Sequence, residues 1–174
     1  NKIYNLSASA AIATTNGAVA GIRLGGGTTG ATINVYNNLI GDLKAPLANL
    51  TDAIRGINIT GVSTTSTYNV SYNSIHLDAT SAGANFGTSG LFHTYNLTAT
   101  SGTLNMRNNI IVNNSIQSGT GLTVAFRRSA LTDLNNFGTV SNNNLLYAGT
   151  PAAKYLIYYG GVGVNDSLPT LAAY

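Results

Sequence analysis

The sequence predicts an all-β fold, a right-handed parallel β-helix (solenoid) of four to five coils, each with about 35 residues and three short strands. Three observations predict it. A nine-residue pattern returns at that interval. A second pattern, led by glycine, returns in phase with the first. Inside both patterns the apolar residues are spaced by two, as in a strand, and not by the 3.6 of a helix.

The first strand of each coil is the glycine-led one. Gly21-Ile22-Arg23-Leu24, Gly56-Ile57-Asn58-Ile59 and Gly90-Leu91-Phe92-His93 lie 35 and 34 residues apart. Leu122–Phe126 and Tyr155–Tyr159 continue the series, with Val124 and Ile157 taken as the equivalents of Ile57 and Leu91. The second strand is Thr-x-Asn. It reads Thr32-Ile33-Asn34-Val35, Thr67-Tyr68-Asn69-Val70 and Thr103-Leu104-Asn105-Met106, with Gly138–Leu145 as a looser fourth copy. Its alternation puts Ile33/Val35, Tyr68/Val70, Leu104/Met106 and Val140 on the core side, and the threonines and asparagines outside. The third strand is Asn-x-Ile, ending at Ile40, Ile75, Ile111 and Leu145. Asn1-Lys2-Ile3 reads as the tail of one more copy. A single coil cannot bury its apolar face, so consecutive coils must stack.

Between the second and third strands stand Asn38, Asn73, Asn109 and Asn143, separated by 35, 36 and 34 residues. Asparagine tolerates a left-handed backbone at a sharp bend. Its amide can also bond the amide of the next coil. The four are therefore expected to form an internal structural ladder. Chain lengths vary between the third strand and the next glycine-led strand, so loops such as 41–52 and 78–89 are expected to protrude.

Composition agrees with coils. The 174 residues are 44% hydrophobic and 7% charged; an ordinary domain is roughly a quarter charged. Polarity comes from Asn, Thr, Ser and Gly. The net charge of +3 reflects scarce acids, because the eight basic residues are scattered and only Arg127-Arg128 adjoin. A nucleic-acid interface needs a concentrated basic surface, so nucleic acid is not an expected partner. The absence of cysteine excludes disulfides and thiolate metal sites. No apolar run approaches the roughly 20 residues of a membrane span. Residues 1–174 are read as a single β-helix segment of a longer chain.

Three phrases, Tyr72-Asn73-Ser74-Ile75-His76-Leu77, Asn142–Pro151 and Leu168–Tyr174, resemble secreted surface proteins of Bacteroidota that carry a right-handed parallel β-helix of the pectate-lyase-like class. The resemblance spans nearly the whole chain. It implies a secreted, extracellular or cell-surface location. It also implies that Asp166-Ser167-Leu168 is similar to the O-glycosylation signal of those bacteria, with Ser167 as acceptor.

Enzymes of this class need clustered acids. Asp42 and Asp78, 36 residues apart, are the best pair, but no third acid is in register, and Asn113 takes that place. No catalytic residue, metal site or cofactor is predicted. His76 has outward parity, and His93 has core parity or ends its strand. Tyr155, Tyr158 and Tyr159 are candidate glycan contacts, with tyrosines covering the core edge as the plainer reading. Arg127-Arg128 reads as a solvated loop, with an acidic glycan as its alternative partner. The expected function is a structural or adhesive scaffold without catalytic activity, part of an extracellular filament if copies join end to end. The alternative is a carbohydrate-binding or polysaccharide-processing β-helix.

Overall fold

The computed structural model describes residues 1–11, 17–129, 133–161 and 167–170. It is a β-solenoid of about four turns, with no helix among the described residues. Among the described residues three longer parallel sheets run along the stack, and Leu6–Ser7 pairs with Leu43–Lys44 in a fourth, two-stranded one. The glycine-led sheet contains Val19–Leu24, Leu50–Ile59, Phe86–His93, Thr123–Arg128 and Tyr155–Tyr159 in spatial order. Ser167–Leu168 adds to its end as an antiparallel strand. The Thr-x-Asn sheet contains Thr32–Tyr36, Thr67–Ser71 and Thr103–Arg107. The Asn-x-Ile sheet contains Lys2–Ile3, Leu39–Ile40, Ser74–Leu77, Ile110–Asn113 and Leu145–Tyr147.

Register follows the repeat. Ile33 pairs with Tyr68 and Tyr68 with Leu104; Val35 pairs with Val70 and Val70 with Met106. Ile3, Ile40, Ile75 and Ile111 form one column. Tyr68, Val70, Leu104, Met106, Ile40, Ile75 and Ile111 are all buried in one core.

The glycine that opens the first strand has a packing reason. A Cβ on Gly21, Gly56 or Gly90 would lie 2.5, 2.6 or 2.2 Å from the Cγ2 of Ile40, Ile75 or Ile111 respectively. A column of glycines thus faces a column of isoleucines across the narrow coil. Each supplies the space that the other fills.

The asparagine ladder is present, and it holds both sides of each amide. Asn38 donates through its backbone N–H (3.2 Å) and Nδ2 (2.8 Å) to Oδ1 of Asn73. Asn73 donates in the same two ways to Oδ1 of Asn109, at 3.0 Å each. Asn109 continues to Asn144, not to Asn143, at 3.0 and 2.9 Å. Asn143 instead has φ 53° and aligns with Asn37, Tyr72 and Asn108, which have φ between 53° and 56°. The left-handed bend and the ladder are therefore neighbouring positions, and the expected single residue serving both is corrected. The Asn142-Asn143-Asn144 run hides which member is which. The pairing of Ile111 with Leu146, in place of Leu145, fixes it.

Two other fourth-coil expectations are also corrected. Val140 is exposed, and Phe137 bridges to Leu104 and packs on the core in its place. The chain gains a turn here, closed by Ser141 N–H on the Gly138 carbonyl. In the glycine-led sheet Phe126, not Val124, pairs with Leu91, and Tyr158, not Ile157, pairs with Phe126.

The outward rows are ladders too. Asn69 Nδ2 donates to Asn34 Oδ1, and Asn105 Nδ2 to Asn69 Oδ1, at 2.8 Å each. A third, unforeseen row links Asn49, Asn85 and Thr120 at the loop corner.

Candidate functional site

One strand breaks the period, and the cleft is built there. Leu50 pairs with Phe86, but Ile54 pairs with Thr88, so two extra residues bulge out of the second-coil strand. A bulge lets residues three apart share a face, which alternation forbids. Asp52 and Arg55 meet in this way, with Arg55 Nε donating to Asp52 Oδ2 at 2.7 Å. Ser89, which pairs with Arg55 in the next coil, donates its hydroxyl to Asp52 Oδ1. Arg55 Nη1 donates to Asn58 Oδ1 at 3.1 Å, and the guanidinium lies 3.7 Å from the Phe92 ring centroid.

Two coils further on, Arg127 comes from Thr123–Arg128, and Tyr159 pairs beside it. The Arg127 guanidinium lies 4.8 Å from the Tyr159 ring centroid, and its Nε lies 3.7 Å from Asp52 Oδ1. That distance is an ion pair but exceeds a hydrogen bond. Leu50, Thr51, Asp52, Arg55, Phe92, Arg127, Arg128, Ser129, Tyr159 and Gly161 together line a cleft of about 310 Å³. Three guanidiniums and one carboxylate line it, so its net charge is positive by two.

Arg127 and Arg128 are buried strand residues, 8% and 1% exposed, which corrects their reading as a solvated loop. Arg128 Nη2 donates to the Asp133 carbonyl at 3.3 Å and to Asn136 Oδ1. Beside it His93 is fully buried, and its Nε2–H donates to the Gly102 carbonyl at 2.8 Å. Burial first, and then the Arg128 charge, hold the His93 pKa down to about 3 against the effect of that hydrogen bond. The ring is neutral at pH 7.

The three candidate tyrosines do not form one surface. Tyr158 is in the core, 5.6 Å from the Phe126 ring, and Tyr155 pairs with Thr123. Only Tyr159 reaches the cleft. Ser167 is half-buried and pairs with Tyr159; Asp166 lies outside the described residues. Asp42 is engaged by Lys44 at 2.6 Å. Asn113 turns inward and bonds Thr88 and the Val124 carbonyl. Among the described residues, no group of three His, Asp or Glu side chains is arranged to hold a metal ion. Nor is any helix among them long and apolar enough to cross a membrane.

Fold and cleft together define a parallel β-solenoid whose in-register coils are interrupted by a charged recess. No family model, no curated protein and no solved structure matches the chain.

Proposed function

We propose that the chain is a secreted or cell-surface structural and adhesive scaffold without catalytic activity, able to join others of its kind end to end in a filament. One observation carries this reading. The residue types repeated from coil to coil are those that stack: the glycine and isoleucine columns, the buried amide ladder and the two outer ladders. Such a stack resists bending because each coil is bonded to the next along every sheet. The sequence resemblance to pectate-lyase-like surface proteins of Bacteroidota supports the extracellular placement.

The test is localisation and form in the source cells. Labelling of intact cells with an antibody to this chain, and electron microscopy of the released material, are expected to give surface signal and rod-shaped or filamentous particles. Confinement to the cytoplasm, or turnover of a polysaccharide by the purified chain, overturns the reading.

A further inference from the structure

Apolar side chains that the stack leaves in solvent gather on the outer face of the Asn-x-Ile sheet. Leu39 pairs with Ser74, Ser74 with Ile110 and Ile110 with Leu145, so these four form one outward column. Leu39, Ile110 and Leu145 are 49, 49 and 51% exposed. Tyr147 ends one strand of this sheet and Tyr4 follows another, while Tyr36 and Tyr72 stand at the bend that leads into it. These are the four exposed tyrosines among the described residues. A contiguous apolar surface marks a contact face, and aromatic residues with arginine are the composition such faces favour. Two exposed charges stand at its margins, and neither has an ion-pair partner among the described residues. Arg107 ends its strand just before Asn108, whose φ of 53° makes the bend into the sheet. Asp78 follows Ser74–Leu77 at the opposite margin. Asp42, just beyond Ile40, is already engaged by Lys44, and Lys2 lies over the Tyr4 ring at 4.3 Å.

We propose that this face binds the same face of a second copy of the chain, side by side, about a two-fold axis parallel to the stack. Such an axis keeps every coil at its own height and reverses the strand direction. Leu39, Ile110 and Leu145 then each meet their own equivalent, and sheet packs on sheet with the strands aligned. The Arg107 margin of each copy meets the Asp78 margin of the other. Arg107 and Asp78 belong to successive coils, about 4.8 Å apart in height, a step that an arginine side chain spans. The pair forms twice, once on each side of the apolar column. Charge therefore selects this arrangement. Running the two stacks in opposite directions would set each Arg107 margin against its own kind and leave Asp78 without a cation. The inference does not depend on the end-to-end reading. A two-fold face closes on itself and stops at two copies, whereas joining at the ends has no built-in limit.

The experiment is sedimentation equilibrium of the whole chain from micromolar to millimolar concentration. A monomer–dimer equilibrium is expected, and Ile110→Asp is expected to abolish it. Arg107→Asp and Asp78→Arg are each expected to weaken the dimer about tenfold, as for two exposed ion pairs. The two changes together are expected to restore it. That restoration separates a second copy from an anionic lipid surface, to which Arg107→Asp weakens attachment and Asp78→Arg strengthens it. All three positions are exposed, so these changes leave the core untouched. The chain has no cysteine, so Ile110→Cys places a single thiol on the two-fold axis. Packed sheets lie about 10 Å apart, and a bis-maleimide of that span is expected to join two copies through this thiol. Leu97→Cys, at a position 74% exposed beyond Phe86–His93 and off this face, is expected to give no joined pair. A monomer at millimolar concentration, association that Ile110→Asp leaves unchanged, or a paired charge exchange that restores nothing overturns the proposal. So does equal joining through both thiols, or flotation with phosphatidylglycerol vesicles in place of self-association.

Discussion

At the scale of single residues, the ladder asparagines differ sharply from their neighbours. The two Nδ2 hydrogens of Asn73 are shared among three acceptors, on Val35, Ser71 and Asn109, and its Oδ1 accepts two bonds from Asn38. Asn73→Ala leaves several buried groups unpaired at once. With about 1–3 kcal/mol for each unsatisfied group, a loss of about 3 kcal/mol or more is expected from urea unfolding. Asn143→Ala disturbs no ladder bond and only replaces a side chain that tolerates the left-handed region by one that does not. It is expected to cost about 1 kcal/mol, and Asn143→Gly almost nothing. Equal losses at positions 73 and 143 would contradict the assignment of the ladder to Asn144.

His93 gives the pH dependence. Its ring is held neutral when folded, with a pKa near 3, whereas an unfolded histidine titrates near 6.5. The unfolded chain therefore binds the extra proton below pH 6.5. The stability contribution is fully present above that value and is lost progressively as pH falls towards 3. Urea midpoints measured from pH 7 to pH 4 are expected to fall more steeply for the native chain than for His93→Gln. The two slopes coinciding would remove His93 as the cause.

How much of this was legible residue by residue depends on periodicity. Asn38, Asn73 and Asn109 were readable because nothing near them is ambiguous. Asn144 was missed by one position because three asparagines are consecutive. Asp52 and Arg127 were not readable as a pair at all. A bulge brings Asp52 onto the face of Arg55, and period-two reasoning assigns residues 52 and 55 to opposite faces. Arg127-Arg128 reads as a solvated loop because two charges follow Phe126, whereas the strand continues through both.

At the scale of the elements, the glycine and isoleucine columns lock the first and third strands together. A Cβ on Gly56 would stand 2.5 Å from the Gly90 carbonyl oxygen as well as 2.6 Å from Ile75. The first of these is backbone and cannot rotate away. Gly56→Ala is expected to cost about 1–3 kcal/mol by overpacking. Ile75→Ala opens the opposite fault, a cavity, and is expected to cost about 2–5 kcal/mol. Combining the two should cost less than the sum, because the new methyl enters the space vacated by the old side chain. Thermal or urea unfolding of the three variants checks this. In the fourth coil both columns change residue: Ala125 stands beside Gly90 in the sheet, and Leu146 follows Ile111 in the facing column.

The strands themselves were the readable part of the fold. Thr32–Tyr36, Thr67–Ser71 and Thr103–Arg107 stand where alternation put them. The ends of the stack were less readable. There the repeat loosens, turns such as Gly138–Ser141 shift the register, and apolar residues such as Val140 lose their inward duty.

At the scale of the whole molecule, nearly every sheet contact among the described residues joins residues about one coil apart, and none of those joins distant coils. Stability is then a sum over neighbouring interfaces, and opening starts where a coil has only one neighbour. Amide hydrogen exchange is expected to be slowest in Ile54–Ile59, Leu91–His93 and Ile75–Leu77, and fastest in Lys2–Ile3 and Leu145–Tyr147. Uniform protection from the first coil to the last would show that the stack opens as a single unit.

The two surplus residues between Leu50 and Ile54 have a consequence that reaches past packing. A perfectly regular spiral offers the same view from every floor, so a visitor has no reason to stop at one landing. A slip in the count makes one floor different, and it gathers charge that its neighbours lack. Lengthening such a chain by copying whole turns adds height and leaves the number of stopping places unchanged; shifting the slip to another turn moves the stopping place with it.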